Sequence, residues 1–122
     1  MNNFQNFSQN LSQPPAQNLP PSTDFLFPTH KILKTEDYNI FENIITFTQN
    51  LIKPYKHDIK INKYKYKIKV NIYNDLEYLN VCFTIQLFLI KNNKLALEIN
   101  RRSGCVVTFY NDFYNYLINL DL

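Results

Sequence analysis

The chain has 122 residues, a net charge of +3 at pH 7, ten phenylalanines, nine tyrosines and one glycine. That length allows one domain at most, and no apolar run approaches the roughly 20 residues of a membrane-spanning helix. Two cysteines, Cys82 and Cys105, are too few for a disulfide framework, so we expect buried free thiols and a reducing compartment. His30 and His57 stand alone, so we predict no metal and no cofactor.

The first 23 residues carry no charge, and nine of them are Asn or Gln, with four prolines among the rest. Such a segment buries too little apolar surface to offset the entropy of ordering it, so we predict a disordered leader over residues 1–23. It lacks the basic start and the continuous apolar stretch of a signal peptide. We interpret residues 24–37 as a linker and residues 38–122 as the folded domain.

The first predicted element is a helix within residues 34–55, KTEDYNIFENIITFTQNLIKPY. Thr35 is the expected N-cap, and Glu36 and Asp37 in the first turn favour the positive end of the helix dipole. Pro54 ends the helix. The apolar stripe at helical spacing consists of Ile40, Phe41, Ile44, Ile45, Thr48, Leu51 and Ile52.

Residues 57–73, HDIKINKYKYKIKVNIY, change to a period of two, which is typical of a strand with one buried face. Ile59 and Ile61 are out of phase with the rest, so we expect a short strand, a tight turn near Asn62 and a longer strand. The face predicted to be buried consists of Tyr64, Tyr66, Ile68, Val70 and Ile72. The opposite face consists of Lys63, Lys65, Lys67 and Lys69.

Residues 79–102, LNVCFTIQLFLIKNNKLALEINRR, predict an antiparallel hairpin that turns at residues 91–94, KNNK. The apolar faces of its two strands consist of Val81, Phe83, Ile85, Leu87 and Leu89, and of Leu95, Leu97 and Ile99. Gly104 indicates a forced turn after the hairpin, because glycine reaches positive φ. Helical spacing returns in residues 108–120, where one side consists of Phe109, Phe113, Leu117 and Leu120.

This order of elements predicts an α+β two-layer sandwich. Its sheet is antiparallel and has four or five strands, and an N-terminal and a C-terminal helix pack on one face.

The element order and the segment RRSG at residues 101–104 together resemble kinase-associated domain 1, which lies at the C-terminus of many Ser/Thr kinases. These include microtubule-affinity-regulating, AMP-activated and checkpoint kinases. The resemblance covers about residues 38–122, and the positions that carry it are Leu97, Ile99, Arg101 or Arg102, Ser103, Gly104 and Phe109. Cys105 departs from the pattern, since the family often has an acidic residue there. The resemblance implies that Ser103 and Gly104 form the turn between the last strand and the final helix.

The resemblance also implies a regulatory function by docking, either to anionic phospholipid, to a kinase domain in an autoinhibitory manner, or to a regulatory subunit. Residues 58–73 carry five lysines and one acid, for a net charge of +4, whereas the rest of the chain nets −1. Lysines in a row can face a plane of phosphates at about 1 kcal/mol each, or they can solvate an edge strand and deter aggregation. Arg101 and Arg102 can likewise contact lipid or a kinase domain, or pair with Glu98 or Asp112.

No catalytic set is present in the sequence. It has no glycine-rich phosphate loop, no paired-carboxylate signature, no Ser-His or Cys-His arrangement and no kinase motif, so we expect no enzymatic activity from this chain.

The sequence bears on two further functions. Nucleic-acid binding is disfavoured because strand alternation puts the lysines and the tyrosines Tyr64 and Tyr66 on opposite faces. A structural subunit of an unrelated complex, acting through protein–protein contacts, is the main alternative function. We expect an intracellular, cytoplasmic protein, with attachment to a membrane surface or a nuclear location left open.

Overall fold

The computed structural model describes residues 18–122, which form a five-stranded antiparallel sheet and two helices. The first six elements are β1 (His30–Ile32), α1 (Ile40–Ile52), β2 (Lys56–Asn62), β3 (Lys67–Tyr73), β4 (Leu79–Ile90) and β5 (Lys94–Gly104). A C-terminal helix, α2, follows over residues 106–118, where a π-helical Phe109–Tyr114 lies between α-helical Val106–Thr108 and Asn115–Ile118. The predicted α+β class with an antiparallel sheet is confirmed.

The strands lie in the order β1-β5-β4-β3-β2, and every neighbouring pair is antiparallel. Hairpins join β2 to β3 and β4 to β5. The predicted hairpin over residues 79–102 is confirmed, and its turn at Lys91–Asn93 places Asn92 and Asn93 at φ 63° and 58°. None of the helices within residues 18–122 is long and apolar enough to cross a membrane.

One hydrophobic core lies between the helices and one face of the sheet. The rings of Phe109 and Phe113 on α2 lie 5.7 and 5.2 Å, centroid to centroid, from the ring of Phe83 on β4. The predicted apolar residues that are buried here consist of Ile68, Val70, Ile72, Val81, Phe83, Ile85, Leu87, Leu95, Leu97, Ile99, Phe109, Phe113 and Leu117. Leu89 and Leu120 are half-buried. We call this side of the sheet the helix-facing side and the other the helix-free side.

Helix α1 begins at Ile40, so the prediction of Thr35 as its N-cap is wrong. The Thr35 hydroxyl accepts the N–H of Asp37 at 3.0 Å, and the Asp37 carboxylate accepts the N–H of Asn39 at 2.9 Å. Such short side-chain bonds to the backbone two residues ahead stabilise turns in place of a helix. The predicted apolar stripe is confirmed, and its buried members are Phe41, Ile44, Ile45, Thr48 and Ile52.

Residues 18–29, which we call the N-terminal strap, lie against the sheet. Where β4 extends past the end of β3, the N–H of Leu89 donates to the Pro21 carbonyl, and the N–H of Thr23 donates to the Leu89 carbonyl. The strap then reaches β5, where the N–H of Phe27 donates to the Glu98 carboxylate at 2.9 Å. It continues into β1, which pairs with β5 from His30↔Glu98 to Ile32↔Ala96.

These contacts differ from the predicted leader and linker. Residues 18–23 are hydrogen-bonded to the fold, and the interval 24–37 contains strand β1. A strand of three residues, HKI, has too few positions to show alternation, which is why periodicity gave no sign of it. Residues 1–17 of the predicted leader lie outside the described residues.

Candidate functional site

The helix-free side of β2 and β3 carries three lysines that strand pairing brings together. Lys60 lies directly opposite Lys69, and Lys67 is two residues from Lys69 on the same side of β3. Ile68 and Val70 on the alternate positions are buried on the helix-facing side. Directly opposed residues have Cβ atoms about 4.5–5.5 Å apart, and alternate residues of one strand are about 6.6–6.8 Å apart. We call Lys60, Lys67 and Lys69 the lysine cluster.

The lysine cluster has no acidic partner within the described residues. The ion pairs there are Lys34–Asp121, Lys56–Glu77, Lys63–Glu42 and Lys94–Glu36. Asp58 shares the helix-free side with Lys60, but its carboxylate accepts the Tyr73 hydroxyl at 2.7 Å. Like charges directly opposite each other on an antiparallel pair are destabilising. An anion bound between Lys60 and Lys69 would relieve that repulsion.

Lys63 and Lys65 lie outside the cluster, so the prediction that four lysines share one strand face is wrong. Strand β2 ends at Asn62 and β3 begins at Lys67, which leaves both residues in the hairpin turn. The Asn62 side chain accepts the N–H of Lys65 at 3.1 Å and so closes the turn. Lys63 points its ammonium to Glu42 of α1, with a 3.2 Å N–O distance, and Lys65 is exposed.

Tyr64 and Tyr66 also occupy this turn, with different outcomes. Tyr66 is buried as predicted: its ring lies 5.3 Å from the Phe41 ring, and its hydroxyl donates to the Asn18 carbonyl. The prediction is wrong for Tyr64, which is 66% exposed. The expected separation of tyrosines from lysines therefore fails at Tyr64. A single exposed ring still gives no stacking platform for successive bases.

Arg101 and Arg102 lie at the end of β5, two strands from β3. Arg101 lies opposite Phe83, and a register shift leaves Arg102 as the extra residue of a β-bulge. Arg101 donates a hydrogen bond to the Gly104 carbonyl at 3.0 Å. Neither arginine forms an ion pair with Glu98 or Asp112, which was one of the two roles that the sequence left open for them. Directly opposed residues share a side of the sheet, so Arg101 lies with the buried Phe83 on the helix-facing side, away from the lysine cluster. Arg102 is two strand spacings, about 9.4–9.8 Å, from β3 and borders the cluster without joining it.

Gly104 forms the forced turn that the sequence predicts. Its φ is +93°, and a Cβ at this position would lie 2.2 Å from the Asn80 carbonyl oxygen. The next residue, Cys105, donates its N–H to that same carbonyl at 2.9 Å. Only glycine fits this conformation and this approach, so Gly104, which follows Ser103 at the end of β5, sets where α2 begins.

The two cysteines are free thiols, as predicted, but only Cys82 is buried. The expectation of burial is wrong for Cys105, because the turn at Gly104 leaves it at the exposed start of α2. Hydrogen bonding from the Thr108 hydroxyl, and then from the Thr108 N–H, lowers the pKa of the Cys105 thiol below its usual value.

A second exposed surface lies where β4 and α2 begin, and sequence periodicity did not reveal it. The Asn74 side chain accepts the N–H groups of Leu76 and Tyr78 at 2.9 and 3.0 Å, which orders the β3–β4 loop. This loop holds Leu76 76% exposed and Tyr78 69% exposed. The hydrogen bond from Cys105 to Asn80 brings the start of α2 beside it. We call these residues the apolar surface: Leu76, Tyr78, Leu79, Val106 and Val107.

The lysine cluster borders a depression in the surface of the sheet. Over residues 18–122 no group of three or more His, Cys, Asp or Glu side chains could hold a metal ion. The depression is lined by Asp58, Ile59, Lys60, Lys69 and Asn71. Two opposed lysines at this depression can bind an anionic group such as a phosphate, because hydrogen bonds between an ammonium and an anion are among the stronger ones.

Comparison with known proteins adds no family to this picture. No protein-family model matches the sequence, and no curated protein matches it. The likeness to kinase-associated domain 1 therefore stays a resemblance, and the function has to be argued from the surface of the protein.

Proposed function

We propose that this chain is a non-catalytic docking domain that binds anionic phospholipid bilayers through the lysine cluster. The observation that carries the proposal is the directly opposed pair Lys60 and Lys69, which has no acidic partner within residues 18–122. The pair lies on a side of the sheet that neither helix covers. Cations held on a rigid sheet can meet a plane of headgroups with little further ordering.

The expected affinity of one copy is low. Three lysines at about 1 kcal/mol each give about 3 kcal/mol, which corresponds to a dissociation constant of several millimolar. Exposed Lys65 and Arg102 at the border could add about 2 kcal/mol, which brings the constant to about 0.2 mM. Binding should therefore depend steeply on the content of anionic lipid and on the number of copies that dock together.

Co-sedimentation with vesicles tests the proposal. Binding should be absent with phosphatidylcholine vesicles and should rise with phosphatidylserine content. Salt should weaken it, because exposed charges are screened over about 10 Å at 0.1 M ionic strength. Equal binding to both vesicle types, or binding to neither, would remove the lipid function.

Matched substitutions test whether the lysine cluster is the binding site. The double variant Lys60→Ala and Lys69→Ala removes about 2 kcal/mol, so it should bind anionic vesicles about 30-fold more weakly. The double variant Lys53→Ala and Lys91→Ala removes the same two charges, at the end of α1 and in the turn between β4 and β5, and should leave binding nearly unchanged. If the two variants lose affinity equally, the attraction is a property of net charge and the lysine cluster is not the site.

A second candidate function is docking to a protein, and the apolar surface favours it. Ordered apolar side chains that stay exposed are more typical of protein contacts than of a solvated loop, and Arg101 and Arg102 lie on the adjoining strand end. The resemblance names a kinase domain or a regulatory subunit as the class of partner. The double variant Leu76→Ser and Val107→Ser separates the two functions, because it should leave vesicle binding unchanged. A loss of vesicle binding in this variant would instead move the lipid contact to the apolar surface.

A further inference from the structure

The exposed edges of the sheet differ in their length and in whether another segment pairs with them. The part of β4 that extends past β3 is paired with the strap at Leu89, and β1 at one margin is only three residues long. Strand β2 at the other margin has seven residues and pairs with β3 without a bulge. No part of residues 18–122 pairs with its second edge. An edge of this length presents N–H and C=O groups that another strand can accept.

The side chains of β2 indicate which residues a strand that pairs with its free edge should carry. On the helix-facing side, Ile59 and Ile61 are only half-buried and pack at the margin of the core. An added strand with apolar residues at matching positions would cover the rest of both isoleucines. On the helix-free side, Asp58 and Lys60 alternate in charge within two residues of each other. An antiparallel partner with the same alternation could satisfy both.

We infer that the free edge of β2 pairs antiparallel with β2 of a second copy, about a two-fold axis at Ile59. In that register Asp58 of each copy lies opposite Lys60 of the other, so two attractive pairs form. Ile59 meets Ile59 on the helix-facing side. The Tyr73 hydroxyl occupies only Oδ2 of Asp58, and a carboxylate can accept further hydrogen bonds.

The neighbouring registers are disfavoured by charge. An axis at Asp58 would place Asp58 opposite Asp58 and Lys56 opposite Lys60, and an axis at Lys60 would place Lys60 opposite Lys60. Like charges directly opposite each other are destabilising, so both of these axes are disfavoured. An axis at His57 would also place Lys56 opposite Asp58, but it would overlap only residues 56–58 of each β2, whereas the axis at Ile59 pairs all seven residues of the strand. The lysines that deter indiscriminate edge pairing therefore select one register.

This pairing joins two five-stranded sheets into one and sets both lysine clusters on a continuous helix-free side. Lys69 of each copy would be three strand spacings and two residues along the strand from its counterpart, about 16 Å, which exceeds the screening length of about 8 Å at physiological salt. The inference does not rest on lipid binding: in the dimer Lys60 pairs with Asp58 of the other copy, which leaves Lys67 and Lys69 of both copies to face a bilayer.

Sedimentation velocity on the full chain, without lipid and from micromolar to near-millimolar concentration, tests the inference. The wild-type protein should form a dimer at the upper end. Asp58→Lys and Lys60→Asp each turn two attractive pairs into repulsive ones and should weaken the dimer by about tenfold or more. An equimolar mixture of the two variants restores both pairs and should form a heterodimer, and the double variant should dimerise like the wild type.

Two-dimensional amide NMR provides the second readout. Shifts that depend on concentration should be confined to residues 56–62 and their neighbours, and each variant should keep a folded spectrum. A wild-type protein that stays monomeric throughout overturns the inference. So does a dimer that both single variants leave intact, or whose concentration-dependent shifts lie away from β2. Because no lipid is present, either outcome leaves the vesicle result to be judged separately.

Discussion

The helix-free side of the sheet has two halves that the chain treats in opposite ways. Over β4 and β5 the N-terminal strap approaches the sheet, Ala96 is fully buried and Glu98 is 9% exposed. Over β2 and β3 no described segment lies on the sheet, and Lys60 and Lys69 remain exposed. The same side of the sheet is therefore buried in the half that the strap covers, and it is exposed to solvent or to a partner in the other half.

The difference shows how charge is handled with and without cover. In the covered half, the single acid Glu98 receives the N–H of Phe27 at 2.9 Å and lies opposite His30. In the open half, Lys60 and Lys69 face each other, and neither forms an ion pair with an acid within residues 18–122. A buried charge requires partners, whereas an exposed one can remain unpaired at little cost until an anion arrives. The open half is thus the one in which a binding function is plausible on physical grounds.

The largest expected effect on stability comes from a substitution in the hydrophobic core, which lies under both halves of the sheet. Phe113→Ala removes a fully buried ring that packs on Phe83 and Tyr55, so it should lower the free energy of unfolding by about 3–5 kcal/mol. Tyr116→Ala on the exposed side of the same helix is the control and should change it by less than about 0.5 kcal/mol. Urea denaturation measures both, and a loss below about 1 kcal/mol for Phe113→Ala would contradict its place in the core.

Most of this buried layer could be predicted from sequence, because alternation and helical spacing report which side of an element is apolar. Ile68, Val70 and Ile72 fell in phase and are buried. The covered half could not be predicted in this way. Its strap lacks periodicity, and its contacts run through backbone groups, as between Pro21 and Leu89, which composition does not encode.

The next effect tests the covered half through its acid. Glu98→Ala leaves the N–H of Phe27 without its acceptor, and hydrogen bonds to charged groups contribute about 1.5–3 kcal/mol, so stability should fall by about that amount. Glu98→Gln keeps an acceptor oxygen and should lose less. Thermal denaturation of both variants, compared with the wild type, measures the effect. Equal losses would show that the charge matters and the hydrogen bond does not.

A smaller effect should follow from shortening the strap. Deleting residues 1–23 removes the backbone bonds to Leu89 and the bond from Tyr66 to Asn18, which are worth about 0.5–1.5 kcal/mol each before the ordering of the strap is subtracted. We expect a net loss of about 1–2 kcal/mol, which corresponds to a melting temperature lower by roughly 4–16 °C. Deletion of residues 1–17 is the control, since it keeps all three bonds. An unchanged melting temperature for the longer deletion would restore the predicted boundary at residue 23.

The sequence predicts that the candidate site is rich in lysine, but it does not predict which lysines lie together. The excess of lysine between residues 58 and 73 is visible in the sequence, but the grouping depends on where the turn lies. Because Asn62 closes the turn, Lys63 and Lys65 leave the strand face. Lys60 enters the cluster from the other strand, since pairing across a hairpin relates residues that period-two patterns keep apart. The turn sets the pairing register, and because the sequence locates the turn only near Asn62, it does not predict which residues lie opposite each other.

The smallest expected effect tests the open half directly. Lys69→Ala removes one member of the opposed pair Lys60 and Lys69, and such cross-strand pairs change stability by about 0.2–1 kcal/mol, so this variant should be more stable than the wild type by about that amount. Lys53→Ala, at the end of α1 and away from the sheet face, is the matched loss of charge and should change stability less. Added salt should narrow the difference between wild type and Lys69→Ala, because it screens exposed like charges over about 10 Å at 0.1 M. Urea denaturation at low and at high salt gives both numbers. A destabilised Lys69→Ala protein would mean that Lys69 supports the sheet through its aliphatic stem, and the open half would then resemble the covered half more than its charge suggests.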